Sequence, residues 1–322
     1  MFNHLLDQVS QLYPPEPSFT ESSLPVYIVT GASAGVGKEL ARMLYSKNAR
    51  VYVAARSEEK ALAAIADIES SQPSSAGALV FLPLDLADLA TIAASARRFL
   101  DREPRLHVLF NNAGVMRPPK NSLTKQGYEL QLGVNNLGAF LFTRLLSPRL
   151  VDTAKSEAPG TVRVVWVASS AAEAPQVPRG GVRLDDMADR PRKGPFASYA
   201  LSKAGNYLHA VEMARRYRDR GVLSIPLNPG NLDSELWRTQ TPLVSSLLRT
   251  FVLHPPRYGA LTELFAGLSD AVTPDRSGAW VGPWGRFLTI RKDLQNAVDD
   301  GTSKAFWDWT EEQVKQYETP AN

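Results

Sequence analysis

Tyr199 and Lys203 stand four places apart in Tyr199-Ala-Leu-Ser-Lys203, a spacing that sets both on one face of a helix, one turn from each other. A free tyrosine, with a pKa of about 10, passes protons poorly near neutrality. A positive charge beside it favours the phenolate and makes it a usable acid and base. The pair can therefore move a proton to or from an oxygen, although a lone Tyr-x-x-x-Lys also arises by accident in amphipathic helices. A second cluster is Thr30-Gly-Ala-Ser-Ala-Gly-Val-Gly37, whose Gly31, Gly35 and Gly37 fall where an apolar run, residues 25–30, gives way to a helical pattern through Leu40, Met43 and Leu44. Glycines at such a turn let the backbone approach a pyrophosphate lying on the free N–H groups and positive dipole end of the helix. At the end of the next strand, where an acidic residue would grip a ribose 2′-hydroxyl, Ala55 is followed by Arg56. A guanidinium there suits a 2′-phosphate, with Lys38 and Ser57 as assistants.

The elements that must hold these residues alternate along the chain. Strands are expected at 25–30, 50–55, 79–83, 107–111, 162–168 and 223–227, and helices at 57–70, 88–100, 127–150 and 197–218. The strands are nearly all apolar, as strands buried on both faces of a parallel sheet must be. Such alternation predicts an α/β fold, a doubly wound parallel sheet of Rossmann type in a single domain, residues 25–290. Residues 171–196 and 231–257 interrupt the rhythm and read as loop insertions near the strand ends. A helix to about Leu268 and an edge strand at Trp280-Val281 close the domain. Residues 1–24 form an N-terminal extension in which Phe2, Leu5, Leu6, Val9 and Leu12 recur at helical spacing, a docking helix rather than a membrane anchor. Residues 291–322 form a C-terminal helical tail whose Phe306, Trp307, Trp309 and Tyr317 pack on the body.

Composition narrows the class. With 322 residues, 44% hydrophobic and 21% charged, the chain can bury a large core. A net charge of +3 without a basic run argues against nucleic acid. The absence of cysteine excludes disulfides, thiolate metal sites and cysteine nucleophiles. His4, His107, His209 and His254 lack ligand spacing, so no metal is expected. No stretch has the apolar length of a membrane span, and the chain reads as cytoplasmic.

The glycine spacing G-x-x-x-G-x-G, Asp85 after the third strand, Asn111-Asn-Ala-Gly114 after the fourth, Tyr199-x-x-x-Lys203 and Asn228-Pro-Gly230 follow in the order of the short-chain dehydrogenase/reductase family, which residues 25–290 resemble. The likeness is greatest to its retinol-dehydrogenase-like branch, which includes fungal members with a similar C-terminal extension. The resemblance implies an NADP(H)-dependent oxidoreductase that interconverts a ketone or aldehyde and an alcohol. By the same likeness Tyr199 is the proton donor, Lys203 also holds the nicotinamide ribose, and Asn135 in the long helix holds a relay water. A serine after the strand at 162–168 binds the substrate oxygen; Ser170 is chosen, with Ser169 the alternative. Cofactor contacts are carried over to Gly31, Ser33, Ala34, Gly35, Val36, Gly37, Arg56, Asp85, Leu86, Asn112, Ala113, Gly114, Pro229, Gly230, Leu232 and Ser234. Asp85 would meet the adenine, or else cap the next helix. Leu236, Trp237, Leu243, Leu247, Phe251 and Met116 could wall a pocket for an apolar, fairly bulky substrate, or only pack their loop. A homodimer through the two long helices is implied, unless the tail covers that face.

Two other readings compete. A non-redox protein of the same fold would use a bound nucleotide as scaffold or sensor, against which the complete set of Asn, Ser, Tyr and Lys argues. A sugar-nucleotide epimerase or dehydratase would need a different glycine spacing and a larger C-terminal substrate domain.

Overall fold

The apolar runs form strands because their alternate side chains serve two different cores. In the computed structural model, which describes residues 25–186, 194–232 and 254–319, Val164 and Trp166 point into one buried cluster and Val165 and Val167 into another. The strands are β1 (Val26–Thr30), β2 (Arg50–Ala55), β3 (Ala78–Pro83), β4 (Val108–Asn111), β5 (Arg163–Val167), β6 (Leu223–Leu227), β7 (Val281–Gly282) and β8 (Arg286–Phe287). They lie in the order β3-β2-β1-β4-β5-β6-β7-β8, parallel except for the last pair. This is the doubly wound α/β sheet expected from the alternation, and its order reverses between β1 and β4. A crevice at the carboxyl ends of strands forms at such a point.

Helices α1 (Gly35–Ser46), α2 (Glu58–Ser71) and α6 (Pro256–Leu268) cover one face of the sheet. Helices α3 (Leu89–Leu100), α4 (Leu130–Leu132 continued by Gly133–Gly138 and Ala139–Ala154) and α5 (Pro195–Tyr217) cover the other. Ser57 and Asp88 start their helices as N-caps, accepting hydrogen bonds from the N–H of Lys60 and of Ala90. The long helix α4 differs from the expected 127–150. It runs through Leu130–Leu132, a π-helical Gly133–Gly138 and Ala139–Ala154. The wider turn sits at two glycines, and a Cβ at Gly138 would fall 2.5 Å from the Leu86 carbonyl oxygen.

The sheet does not end at Trp280-Val281. A tight turn with Trp284 and Gly285 at positive φ folds β8 back as the outer strand, two residues too short to leave a periodic signal. The insertion is also less superficial than its Pro and Gly content suggests. Arg291 donates to the carbonyls of Ala174, Val177 and Pro178, and Asp293 accepts from the N–H of Gly180, so short helix α7 (Lys292–Gln295) begins where the tail holds the insertion. Helix α8 (Thr302–Val314) then packs Phe306 and Trp307 into the body. The N-terminal residues Phe2 to Leu12 lie outside the described residues. No described helix is long and apolar enough to cross a membrane.

Candidate active site

The ends of β1 and β4 are laced together before any ligand is considered. Thr30 Oγ1 donates to the Phe110 carbonyl at 3.1 Å and accepts from the Ala113 N–H at 2.9 Å. Asn112 Nδ2 donates to the Thr30 carbonyl at 2.7 Å. The glycine turn lies directly on this knot. Gly31 has φ +70 and Gly35 φ +55, and a Cβ at Gly37 would fall 2.5 Å from Asn112 Nδ2. Helix α1 begins at Gly35 with Ala34 as its N-cap, which offers no side-chain hydrogen bond. Its first N–H groups and positive dipole end therefore face the crevice, a cradle for phosphate.

Around that cradle the sequence-expected residues divide. Ser33, Ala34 and Val36 are half-buried in the turn, and Arg56 is exposed at the end of β2. Of its two assistants, Lys38 is paired with Asp67 at 2.9 Å and Ser57 spends its hydroxyl on the α2 cap. Asp85 is not the cap of α3, because Asp88 holds that place; its Oδ1 accepts from the Ala87 N–H at 2.9 Å. Leu86 is buried against Gly138. Across the crevice Asn228 Oδ1 accepts from the Gly230 N–H beside Pro229, and Gly230 takes φ +96. Leu232 is buried and bridges to His254. Ser234 and the loop residues Leu236, Trp237, Leu243, Leu247 and Phe251 lie outside the described residues.

Tyr199 and Lys203 emerge on one face of α5, with Lys203 Nζ 5.7 Å from the Tyr199 ring centroid. They are 7% and 4% exposed. The hydroxyl that hydrogen-bonds Tyr199 belongs to Ser169, the alternative to Ser170. The reason is the chain's turn after β5. Ser169 is the extended N-cap of a 3-10 turn, accepting from the Ala171 N–H, while Ser170 is already the first residue inside that turn. Burial pushes the Tyr199 phenol up to about 12, and the hydrogen bond with Ser169 opposes it. Burial likewise brings the Lys203 ammonium down to about 8, opposed by the negative charge of Glu263.

Asn135 lies within the π-helical turn of α4 and is fully buried. Its Nδ2 donates to the Val115 carbonyl at 3.0 Å and to Ser202 Oγ at 2.9 Å, and its Oδ1 accepts from the Val115 N–H at 2.8 Å. Ser202 Oγ in turn donates to the Tyr199 carbonyl. Gly114 lies beside this group, since a Cβ there would sit 3.3 Å from Asn135 Oδ1 and 3.5 Å from Lys203 Nζ. The three described histidines have structural partners: His107 joins the Val26 N–H and Glu157, His209 meets Thr310 and stacks on Phe306, and His254 edges Trp284.

Three neighbours complete the site: Asn136, which the sequence offers as the alternative to Asn135 for the polar task in the helix, and two residues that escape the sequence reading, Asn206 and Glu263. Asn136 Nδ2 donates to the Ser202 carbonyl and to Asn206 Oδ1, and Asn206 Nδ2 and Lys203 Nζ converge on the Val167 carbonyl at 3.1 and 2.7 Å. Asn206 stands three places after Lys203, as Ser202 does after Tyr199, and that spacing was the available signal. The third is Glu263, a lone acid in the otherwise uncharged stretch Gly259-Ala-Leu-Thr-Glu-Leu-Phe-Ala-Gly267.

Residues 25–180 match the family model for short chain dehydrogenases. The chain is 52% identical to a short-chain dehydrogenase/reductase of Phomopsis amygdali, covering 98% of both chains. It is 49% identical to one of Neocamarosporium betae, covering 96% of this chain and 93% of the other. Among solved structures it is similar to a Mycobacterium paratuberculosis protein, with TM-score 0.68, 29% identity and coverage of 92% and 96%. The fold also matches the NADPH-bound carbonyl reductase from chicken fatty liver, at TM-score 0.64, 21% identity and coverage of 85% and 96%.

Proposed function

Because the chain belongs to the short-chain dehydrogenase/reductase family, a family of oxidoreductases, we propose that it uses NADP(H) to interconvert a ketone or aldehyde and an alcohol on an apolar, fairly bulky molecule. The observation that carries this reading is the convergence of Ser169, Tyr199 and Lys203 beside Gly114 and Asn135, at the crevice where the strand order reverses.

The residues present fit the dinucleotide. An α1 N-terminus without a side-chain cap suits the pyrophosphate, with Gly31, Ser33, Ala34, Gly35, Val36 and Gly37 around it. Asp85, Leu86, Asn112, Ala113 and Gly114 border the adenosine and central part, and Pro229, Gly230 and Leu232 the nicotinamide end. Exposed Arg56 suits a 2′-phosphate, which supports NADP(H) over NAD(H). The catalytic unit is residues 25–290, preceded by the 1–24 extension and buttressed by the 291–322 tail.

When bound, the cofactor supplies or accepts the hydride. Tyr199 donates its phenolic proton to the carbonyl oxygen in reduction and takes it back in oxidation. Ser169 hydrogen-bonds the same oxygen and polarises it. A positive charge on Lys203, 5.7 Å from the phenol ring, works toward the phenolate against the burial that disfavours it, and Asn135 fixes the Val115 backbone and Ser202 next to the pair.

The test is NADPH oxidation against a panel of ketones and aldehydes. Tyr199→Phe keeps the fold, checked by thermal melting, and lowers turnover by about 10³-fold or more, as loss of the proton donor requires. A folded Tyr199→Phe enzyme with near-normal rates would overturn the reading.

A further inference from the structure

Glu263 is 0% exposed, and neither of its carboxylate oxygens has a hydrogen-bond partner among the described residues. Burying an unpaired carboxyl costs free energy that a buried leucine would not. Its surroundings narrow what it can serve. Helix α6 packs chiefly on α1, β4, β5, β6 and β7. Strands β4, β6 and β7 carry no titratable side chain, and β5 carries only Arg163. Arg163 spends its guanidinium on the carbonyls of Gly160, Ala266 and Ser269, at the C-terminal end of the helix. On α1, Lys38 and Arg42 are taken by Asp67, and Glu39 pairs with Arg42.

Beside these, α6 itself carries Arg257 and Tyr258 in its first turn and α1 carries Tyr45; the charge that acts on Glu263 is that of Lys203. Lys203 belongs to α5 on the other face of the sheet, but its side chain reaches past the end of β5, where Nζ donates to the Val167 carbonyl. Val167 lies in the cluster that α6 packs against, so the ammonium stands at the boundary between the two faces. We propose that Glu263 is the counter-charge of Lys203, a positioning residue that from beneath the sheet keeps the ammonium charged in a site where burial works against it. The electrostatics agree in direction for both groups. Burial raises the Glu263 carboxyl to about 8 and Lys203 draws it back, while burial lowers Lys203 and Glu263 restores it.

The inference deepens the proposed function, because it gives the Tyr199–Lys203 pair its third charge, but its first test needs neither cofactor nor substrate. Thermal midpoints of the full chain near pH 8 are measured for wild type, Glu263→Gln, Lys203→Met and the double variant. A coupled pair gives non-additive shifts, the double variant departing from the sum by about 2 °C or more. Additive shifts overturn the proposal.

The second readout is the affinity for NADPH, followed by nicotinamide fluorescence from pH 6 to 10. An alkaline limb that Lys203→Arg removes moves to lower pH in Glu263→Gln, by about one unit, the effect expected of a nearby opposite charge. Glu263→Leu gives the same displacement, because it removes the same negative charge from beside the ammonium. Folded Gln and Leu variants with the wild-type limb overturn the proposal. Should wild type bind no NADPH at any pH, the cofactor reading falls, and the thermal cycle still decides on the pair.

Discussion

Ser169 and Ser170 carry the same hydroxyl, and the chain's turn after β5 decides which of them faces Tyr199. The extended Ser169 caps the turn and meets the phenol; Ser170 begins the turn itself. A donor aimed at a developing oxyanion contributes roughly 10²–10³-fold in rate. Ser169→Ala is therefore expected to lower kcat by about that factor, while Ser170→Ala stays within a few-fold. The reverse order in steady-state kinetics would restore Ser170. Arg56 allows a second comparison at this scale. It is exposed at the end of β2, while Lys38 and Ser57 are both engaged elsewhere, and under the proposed NADP(H) reading it is the residue that meets the 2′-phosphate. Arg56→Glu should raise the KM for NADPH about tenfold or more and leave that for NADH little changed, because only the former loses a charge-assisted contact. Equal changes for both would remove Arg56 from the phosphate site.

Elements position these residues by how closely they approach, and the glycine turn is the clearest case. Gly37 lets α1 settle on Asn112, and an alanine there would place Cβ 2.5 Å from Nδ2 and 2.8 Å from the Gly31 carbonyl. Gly37→Ala is expected to cost about 1–3 kcal/mol and to weaken NADPH binding. Unchanged denaturant unfolding together with unchanged affinity would show that the turn has room to yield. Such features separate what the sequence revealed from what it concealed. The turn, the strand alternation and the Tyr199–Lys203 spacing were legible because each is local and periodic. The π-helical turn holding Asn135, the two-residue strands and the Ser169 turn were not, since tertiary contacts decide them: Leu86 against Gly138, β7 against β8, and the phenol against its serine. Glu263 was visible as an acid in an apolar helix, but its partner lies across the sheet. Nothing in the local pattern connects the two.

At the scale of the molecule, the tail governs which surface the chain offers. Helix α8 lies along the outer face of α5, beside the π-helical turn and α4. Phe306 stacks on His209 at 4.6 Å, and Trp307 meets the Phe140 ring edge-on at 4.7 Å with Arg216 over it at 5.0 Å. Ser303 donates to buried Glu212, Arg216 pairs with Asp308, and Arg144 pairs with Glu311 and Glu318. The two long helices through which a homodimer was expected are α4 and α5, so their outer face is already covered by the chain's own residues. A buried Trp is worth about 3–5 kcal/mol, and Trp307→Ala should lower stability by roughly that amount with the cofactor crevice intact. Deleting residues 302–322 should bare the apolar face of α4 and α5, and a bared face of this kind seeks another copy. Light scattering after gel filtration is the measurement: the full chain should elute as a monomer and the shortened chain should self-associate. A dimeric full chain whose pairing the Trp307→Ala substitution leaves untouched would mean that the molecule assembles through another surface.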